Sequence, residues 1–260
     1  MPEYSFCKVN RDNHVLTVTL NRPDVMNSLH RPANLELDQV FDAFAADPDL
    51  WIAILTGAGE RAFSAGNDLK FAAAGNDTTL PPGGFGGLTA RMELDKPVIA
   101  AVNGIAMGGG FELALACDLI IASQNAVFAL PEPKVGLAAL AGGLLRLPAQ
   151  IPQKHAMGMI LTGRHVKADE ADRLGFVNEV VAPGEALAAA HRWAEQILAC
   201  SPMSVRGSKH VACRGLETPL STAYREQRGY VPIQALYNSA DRIEGPKAFA
   251  EKRKPQWTGR

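Results

Sequence analysis

The chain has 260 residues, and 47% of them are hydrophobic, which is enough for one large domain or for one domain with a small appendage. Its formal net charge is −1, so the composition does not indicate a surface for nucleic acid. No apolar run reaches the roughly 18 residues that a membrane-spanning helix needs. We therefore expect a globular protein that binds neither nucleic acid nor a membrane.

The four cysteines, Cys7, Cys117, Cys200 and Cys213, form neither a CxxC motif nor a closely spaced pair. No signal peptide is visible, so we expect reduced thiols and a cytoplasmic location. The six histidines lack the spacing of metal ligands, and we expect no metal site. Neither GxGxxG nor a P-loop motif occurs, which argues against dinucleotide binding and against a nucleotide phosphate loop.

The first elements are predicted from hydrophobic periodicity. Residues 14–20 alternate between apolar and polar side chains, which predicts a half-buried strand, and residues 31–47 have the apolar spacing of a helix. A short apolar run predicts a second strand over residues 51–55, and residues 61–70 are typical of a loop. Residues 71–87 are rich in Gly, Pro and Thr, which predicts a mobile surface loop, either a lid over a site or a disordered insertion.

A run of three glycines then separates a predicted strand from a predicted helix. After a short helix expected at residues 88–95, residues 98–102 predict a buried strand that Asn103-Gly104 ends. Glycines 108–110 follow, and residues 111–117 are rich in helix-forming side chains. This succession of strand, glycine run and helix is the central feature of the predicted fold.

Beyond the glycine run, the patterns predict strands at residues 119–122, 127–130 and 176–181, and helices at residues 155–161, 168–174 and 183–199. After Ser201-Pro202 only helices are predicted, at residues 203–212, 219–237 and 246–252. We therefore divide the chain into an α/β core, residues 1–200, and a C-terminal helical region, residues 201–260. Because so short a helical region can hardly fold alone, it should dock on the core or on another subunit.

The glycine run could form part of an oxyanion hole. The first amides of a helix have no partner within the helix, and glycines allow a ligand oxygen to approach them closely. Such amides can stabilise charge that develops on a carbonyl oxygen. Glu112 falls in the first helical turn, where a carboxylate could transfer protons. The alternative is close packing of a helix on a strand, with Glu112 in solvent.

Two more motifs could complete such a site. Gly66 precedes Asn67, whose amide could be the second oxyanion donor, although an ordinary Asx turn is the alternative. Glu132 stands between two prolines after a predicted strand and could point inward, although this motif taken alone favours a solvent-exposed loop position. Together, Glu112 and Glu132 could supply one acid and one base on opposite sides of a substrate atom.

Five motifs carry a resemblance to the enoyl-CoA hydratase/isomerase, or crotonase, superfamily. They are LNRPDVMNSL (residues 20–29), FSAGNDLK (63–70), KPVIAAVNGIAMGGGFELALACD (96–118), FALPEPKVGL (128–137) and GGLLRLP (142–148). Within the superfamily, the segments FSAGNDLK, GGFGGLT, GGGFELALA and the C-terminal EGPKAFAEKRKPQWTGR are most similar to the group of carnitinyl-CoA dehydratases, also called crotonobetainyl-CoA hydratases.

The resemblance implies a core built as a spiral of ββα units and a C-terminal helical region that assembles trimers, usually paired into hexamers. It also implies an acyl-CoA thioester substrate and no separate cofactor, because coenzyme A belongs to the substrate. One segment departs from the group: residues 137–141 are wholly apolar and offer neither an aromatic nor an acidic partner for a quaternary ammonium. A short aliphatic enoyl group therefore fits this chain as well as a carnitine-type group.

By the same resemblance, the amides of Asn67 and Gly109 hold the thioester oxygen, Glu112 activates water and Glu132 delivers a proton to the α-carbon. The residues expected to line the CoA channel are Arg22, Val25, Met26, Ala62, Ala65 and Asp68. The presence of both glutamates favours hydration of a 2,3-enoyl-CoA over the alternatives within the family, which are double-bond isomerisation and thioester hydrolysis. Some family members bind RNA, but the near-zero net charge and the lack of a basic–aromatic stripe argue against that function.

Overall fold

The computed structural model describes residues 4–260, which form ten strands and eleven α-helices. The strands are β1 (Cys7–Asp12), β2 (Val15–Leu20), β3 (Ile52–Gly57), β4 (Ala62–Ser64), β5 (Val98–Val102), β6 (Ile105–Met107), β7 (Leu119–Ser123), β8 (Val127–Ala129), β9 (Val166–Lys167) and β10 (Glu179–Val181). The helices are α1 (Arg31–Ala46), α2 (Leu69–Ala73), α3 (Gly109–Leu115), α4 (Gly143–Gln150), α5 (Gln153–Thr162), α6 (Ala168–Leu174), α7 (Ala186–Leu198), α8 (Pro202–Glu217), α9 (Leu220–Glu226), α10 (Val231–Tyr237) and α11 (Asp241–Ala250).

The strands form two sheets that the chain visits alternately. The larger sheet has the order β1-β2-β3-β5-β7-β10 and is parallel except for the β1–β2 pair. The smaller sheet has the order β4-β6-β8-β9, with only the β8–β9 pair antiparallel. Each of β3, β5 and β7 is followed directly by a strand of the smaller sheet. This confirms the predicted α/β class and agrees with the implied succession of ββα units.

The larger sheet is covered on both faces, as parallel sheets are. Along β3, Ile52 and Ile54 pack in the cluster that contains the alanines of α7, whereas Leu55 packs in the main core. The strand β2 is also buried on both faces, because five of its six residues are buried, and these include Thr17 at 7% exposure. The prediction of a half-buried strand at residues 14–20 was therefore wrong in burial, although its position was correct.

Four short strands, β1, β4, β6 and β9, were not predicted. They have between two and six residues, and β1 carries polar side chains at most of its exposed positions. The stretch taken for a loop, residues 61–70, contains β4 and the start of α2. Short strands are defined by their neighbours in the sheet more than by their own periodicity, so hydrophobic spacing alone could not reveal them.

Residues 83–87 are buried, which contradicts the predicted mobile surface loop in this part of residues 71–87. The turn packs against α1, where Asn34 Oδ1 accepts the Gly86 N–H at 2.7 Å and Asp38 Oδ1 accepts the Gly83 N–H at 3.1 Å. A Cβ on Gly87 would lie 2.3 Å from the Asp38 backbone nitrogen. The glycines are therefore needed for close packing. The helix expected at residues 88–95 is also wrong, since that segment forms turns.

The C-terminal helices contact the core directly. Lys209 on α8 donates hydrogen bonds to Asp118 at 2.8 Å and to the Lys96 carbonyl at 3.0 Å. Near the chain end, Trp257 packs with the α7 cluster and donates to the Ala199 carbonyl at 2.9 Å. A boundary at residue 200 stays a prediction. None of the helices within residues 4–260 is both long and apolar enough to cross a bilayer.

Candidate active site

The three glycines at the start of α3 each accommodate a different neighbour. A Cβ on Gly110 would lie 2.1 Å from the Ser64 carbonyl oxygen, and one on Gly109 would lie 2.7 Å from Cζ of Phe85. A Cβ on Gly108 would lie 2.8 Å from Oε1 of Glu132. The position of Gly110 therefore agrees with the interpretation in which the glycines allow a helix to pack closely on a strand. Gly108 leaves room for a carboxylate, as a catalytic site would require.

The backbone amides of Asn67 and Gly109 lie close to Gly66, and the described residues provide an acceptor for neither of them. Leu29 donates to the Gly66 carbonyl at 2.8 Å, and Asp68 donates to the Leu29 carbonyl at 3.0 Å, so in this parallel bridge the Asn67 N–H points away from Leu29. A Cβ on Gly66 would lie 2.9 Å from the Gly109 nitrogen. Within residues 4–260, neither the Asn67 nor the Gly109 N–H donates a hydrogen bond. Two such free donors suit a developing oxyanion.

Glu112 is buried in the first turn of α3, which excludes the solvent-exposed alternative. It is 3% exposed, and its Oε1 accepts the Gly143 N–H at 2.9 Å. Burial raises the pKa of Glu112 to about 7; the negative charge of Glu132 also raises it, whereas backbone hydrogen bonds and Arg146 act in the opposite direction. A carboxyl group with a pKa near 7 can both accept and return a proton at neutral pH.

Glu132 begins a 3₁₀ turn, Glu132–Val135, directly after β8, and its carboxylate lies against Gly108. Its Oε2 atom is buried and has no hydrogen-bond partner within residues 4–260. Burial raises the pKa of Glu132 above the usual range for a glutamate. An unpartnered buried oxygen is costly for a carboxylate, so the surroundings of Glu132 shift its ionisation toward the protonated acid.

An apolar cavity of about 170 Å³ opens beside Glu132. Its lining includes Leu130, Leu137, Ala139, Leu144, Ile160 and Leu161. Among residues 4–260, Glu132 is the only charged side chain that lines it, and no aromatic ring does. The cavity therefore suits an uncharged aliphatic chain, and it places that chain next to the Glu132 carboxyl group.

Two segments expected at a CoA channel lie side by side. Arg22 pairs with Asp68 at 3.0 Å, and the Ala65 N–H donates to the Met26 carbonyl at 2.9 Å. Val25, next to Met26, is 39% exposed, so this edge is open to a ligand.

Ala62 is the exception among the residues expected to line the channel. It is 1% exposed, and its carbonyl accepts a hydrogen bond from Asn27 at 2.8 Å. The side chain therefore offers little surface to a ligand, and the place of this residue in the channel stays a prediction.

Two features of the site were missed at the sequence level. The Gly143 amide holds Glu112, and the Phe85 ring covers Gly109. The sequence did contain a signal for the Gly143 amide. The pair Gly142-Gly143 precedes an apolar segment, and this pattern resembles the start of another helix. For a metal, no group of three His, Cys, Asp or Glu side chains within residues 4–260 lies close enough together to form a site.

Comparison with known proteins gives consistent matches over nearly the whole chain. The family model described as enoyl-CoA hydratase/isomerase matches residues 10–260. The carnitinyl-CoA dehydratase of Escherichia coli (strain K12) is 47% identical over 256 residues, which cover 97% of this chain and 98% of that protein. The crystal structure of an enoyl-CoA hydratase from Mycobacterium tuberculosis H37Rv superposes with a TM-score of 0.92 at 41% identity, covering 98% of this chain and 99% of the other. That of a carnitinyl-CoA hydratase from Mycobacterium avium gives a TM-score of 0.78 at 40% identity, covering 99% and 100%.

Proposed function

The chain belongs to the enoyl-CoA hydratase/isomerase family and is a hydro-lyase, and from this premise we propose that it adds water reversibly to a 2,3-enoyl-CoA thioester. The observation that carries the proposal is the meeting of Glu112 and Glu132 at the glycine run, beside the free amides of Asn67 and Gly109. An acid, a base and an oxyanion hole are the groups that hydration of a conjugated thioester needs.

The surroundings of the two glutamates support different roles. The Gly143 amide donates to Glu112 and so favours its charged form, which can act as the base, whereas Glu132 Oε2 has no donor and favours the neutral acid. In the forward direction Glu112 takes a proton from water as the oxygen bonds to the β-carbon. The π electrons move toward the thioester oxygen, where the amides of Asn67 and Gly109 stabilise the enolate. Glu132 then protonates the α-carbon.

Coenzyme A would lie along the edge formed by the segments around Arg22 and Asp68. The Arg22–Asp68 pair and the bond from Ala65 to Met26 fix this edge, and the exposed Val25 leaves apolar surface for the pantetheine portion. No separate cofactor enters the proposed reaction, because every proton transfer is assigned to a side chain.

Product analysis distinguishes this proposal from the other reactions of the family. We expect crotonyl-CoA in ¹⁸O-labelled water to yield 3-hydroxybutyryl-CoA with the label on its hydroxyl oxygen. Isomerisation would move the double bond and incorporate no label, and thioester hydrolysis would release free CoA. Either of those as the main product would overturn the proposal.

Steady-state hydration kinetics compare the two candidate acyl groups, between which the names of the relatives do not decide. We expect kcat/KM for crotonyl-CoA to exceed that for crotonobetainyl-CoA by about 10-fold or more, since a cation loses hydration in an apolar cavity without an aromatic partner. That ratio corresponds to about 1.4 kcal/mol of transition-state discrimination. A preference of ~100-fold for crotonobetainyl-CoA would instead assign to this chain the activity for which its Escherichia coli relative is named.

We also propose that residues 201–260 build a homo-oligomer, a trimer or a hexamer. Four apolar side chains of this region, Leu216, Leu220, Val231 and Phe249, are 80% or more exposed in the single chain, and their burial against another subunit would be favourable. Sedimentation should give a mass several times that of the 27.8 kDa chain, and Leu220→Glu should lower it. A monomer at micromolar concentration would refute this proposal.

A further inference from the structure

The guanidinium of Arg146 folds back over the first residues of its own helix, α4. Its Nη2 donates to the Thr89 carbonyl at 2.7 Å, and its Nη1 donates to the Ala141 carbonyl at 3.4 Å. A Cβ on Gly142 would lie only 2.0 Å from Nη1, so a glycine at this position leaves the space that the guanidinium occupies. Arg146 therefore ties the segment before α4 to a different part of the chain.

The other side of the same segment holds Glu112. The Gly143 N–H donates to Glu112 Oε1 at 2.9 Å. Residues 141–143 thus lie between a carboxylate and a guanidinium. Thr89 is itself fixed, because its Oγ1 accepts the Phe85 N–H at 2.9 Å, and the Phe85 ring packs on Gly109. Arg146 therefore connects the turn that packs on Gly109, a proposed oxyanion donor, to the segment that hydrogen-bonds Glu112, the proposed base.

We propose that Arg146 is a positioning residue for hydration, which holds residues 141–143 so that the Gly143 amide stays directed at the Glu112 carboxylate. This role rests on the proposed function, because it acts through Glu112 as the base. Arg146 need not touch the substrate to affect the rate. It differs from a purely structural residue in that its loss should change the ionisation of another group.

The charges around Glu112 determine the direction of that change. Glu132, from the 3₁₀ turn after β8, disfavours the Glu112 carboxylate when it is itself ionised, whereas the charge of Arg146 and the Gly143 amide favour that carboxylate. Removing the positive charge of Arg146 should therefore raise the pKa of Glu112 further above its usual value. Since the base must be ionised, the acid limb of the pH–rate profile should move to higher pH, and the lost activity should partly return in alkaline buffer.

The test is the pH dependence of crotonyl-CoA hydration by Arg146→Met, Arg146→Lys and the control Gln150→Ala. We expect R146M to shift the acid limb of kcat/KM upward by about half a unit to one unit and to lower the rate at pH 7 by about 10-fold. R146K keeps the charge but loses the planar donor fork, so its rate should fall while its acid limb stays in place. Q150A removes the bond from Gln150 to the Leu115 carbonyl at 3.1 Å, which joins α4 to α3, and should leave the limb unchanged.

An unshifted limb in R146M would overturn the electrostatic part of the inference, and full activity in R146K would overturn the positional part. A shift of the same size in Q150A would show that loosening α4 is sufficient to move the acid limb, and it would overturn the assignment of the shift to the charge of Arg146. Should R146M fail to fold, R146K still tests the positional part, and Arg146→Gln tests the loss of charge with a side chain that can donate to Thr89. If the unaltered enzyme hydrates neither acyl-CoA, the proposed function fails. That outcome is distinct from hydration with an unshifted limb.

Discussion

Replacing Glu112 with glutamine is expected to lower kcat for crotonyl-CoA hydration by about 10³- to 10⁴-fold, the upper part of the range for loss of a general base. Glutamine has nearly the same shape, and its side-chain oxygen can still accept the Gly143 N–H, so the start of α4 should stay in place. It cannot accept a proton from water. The measurement is steady-state kinetics by loss of the enoyl thioester absorbance, with thermal unfolding to verify the fold.

Glu36 provides a matched control for this substitution. Its carboxylate also accepts backbone N–H groups, from Ser5, Phe6 and Cys7 at 2.7 to 2.8 Å, but it lies on α1 and has no part in the proposed site. We expect Glu36→Gln to lower the melting temperature and to leave kcat nearly unchanged. If Glu112→Gln retained the full hydration rate, Glu112 would not be the base and the mechanism would have to be reassigned.

The pH dependence of the unaltered enzyme should agree with this result. Because burial raises the pKa of Glu112 to about 7, the rate should fall as the pH drops below about 7 and the base becomes protonated. Burial also raises the pKa of Glu132, in the direction that favours the protonated form of the proposed acid. The Glu112→Gln variant should lack this acid limb in its residual activity.

The parts of the site that could be predicted from the sequence are those whose signal is local. Gly108 to Gly110 and Glu112 are neighbours in the chain, and a glycine run before helix-forming residues predicts free amides without knowledge of the fold. The strands β3, β5 and β7 were predicted for a similar reason, because strands buried on both faces have continuous apolar runs.

The parts that could not be predicted depend on residues far away in the chain. Gly143 is 31 positions from Glu112, and Gly86 is 52 positions from Asn34, so neither contact is visible in a local pattern. The same glycine-rich composition suits a mobile loop and a closely packed turn. What decides between them here is the polar face of α1, to which Asn34 and Asp38 contribute. The burial of Ala62 also could not be predicted, because a motif identifies a position but does not give its exposure.

Replacing Gly66 with alanine should lower kcat by about 10²- to 10³-fold, the loss typical of removing one oxyanion donor. The added Cβ would lie 2.9 Å from the Gly109 nitrogen, in the space where a thioester oxygen would accept that N–H. Because the hole acts mainly on the enolate-like transition state, kcat should fall more than KM rises. The measurement is kcat and KM for crotonyl-CoA.

Alanine at Gly66 also introduces backbone strain, since the φ of this residue is +87°, and Gly75 separates the strain from the loss of the donor. Gly75 has a φ of +77°, and its Cβ would meet nothing within 4 Å, so Gly75→Ala carries similar strain without filling the site. Each substitution should cost about 1–2 kcal/mol of unfolding free energy from the positive φ, with a further loss at Gly66, where the Cβ would lie 2.6 Å from the Met107 carbonyl oxygen. Only Gly66→Ala should lose hydration activity. Equal losses of activity in both variants would attribute the effect to stability, and full activity in Gly66→Ala would place the oxyanion hole elsewhere.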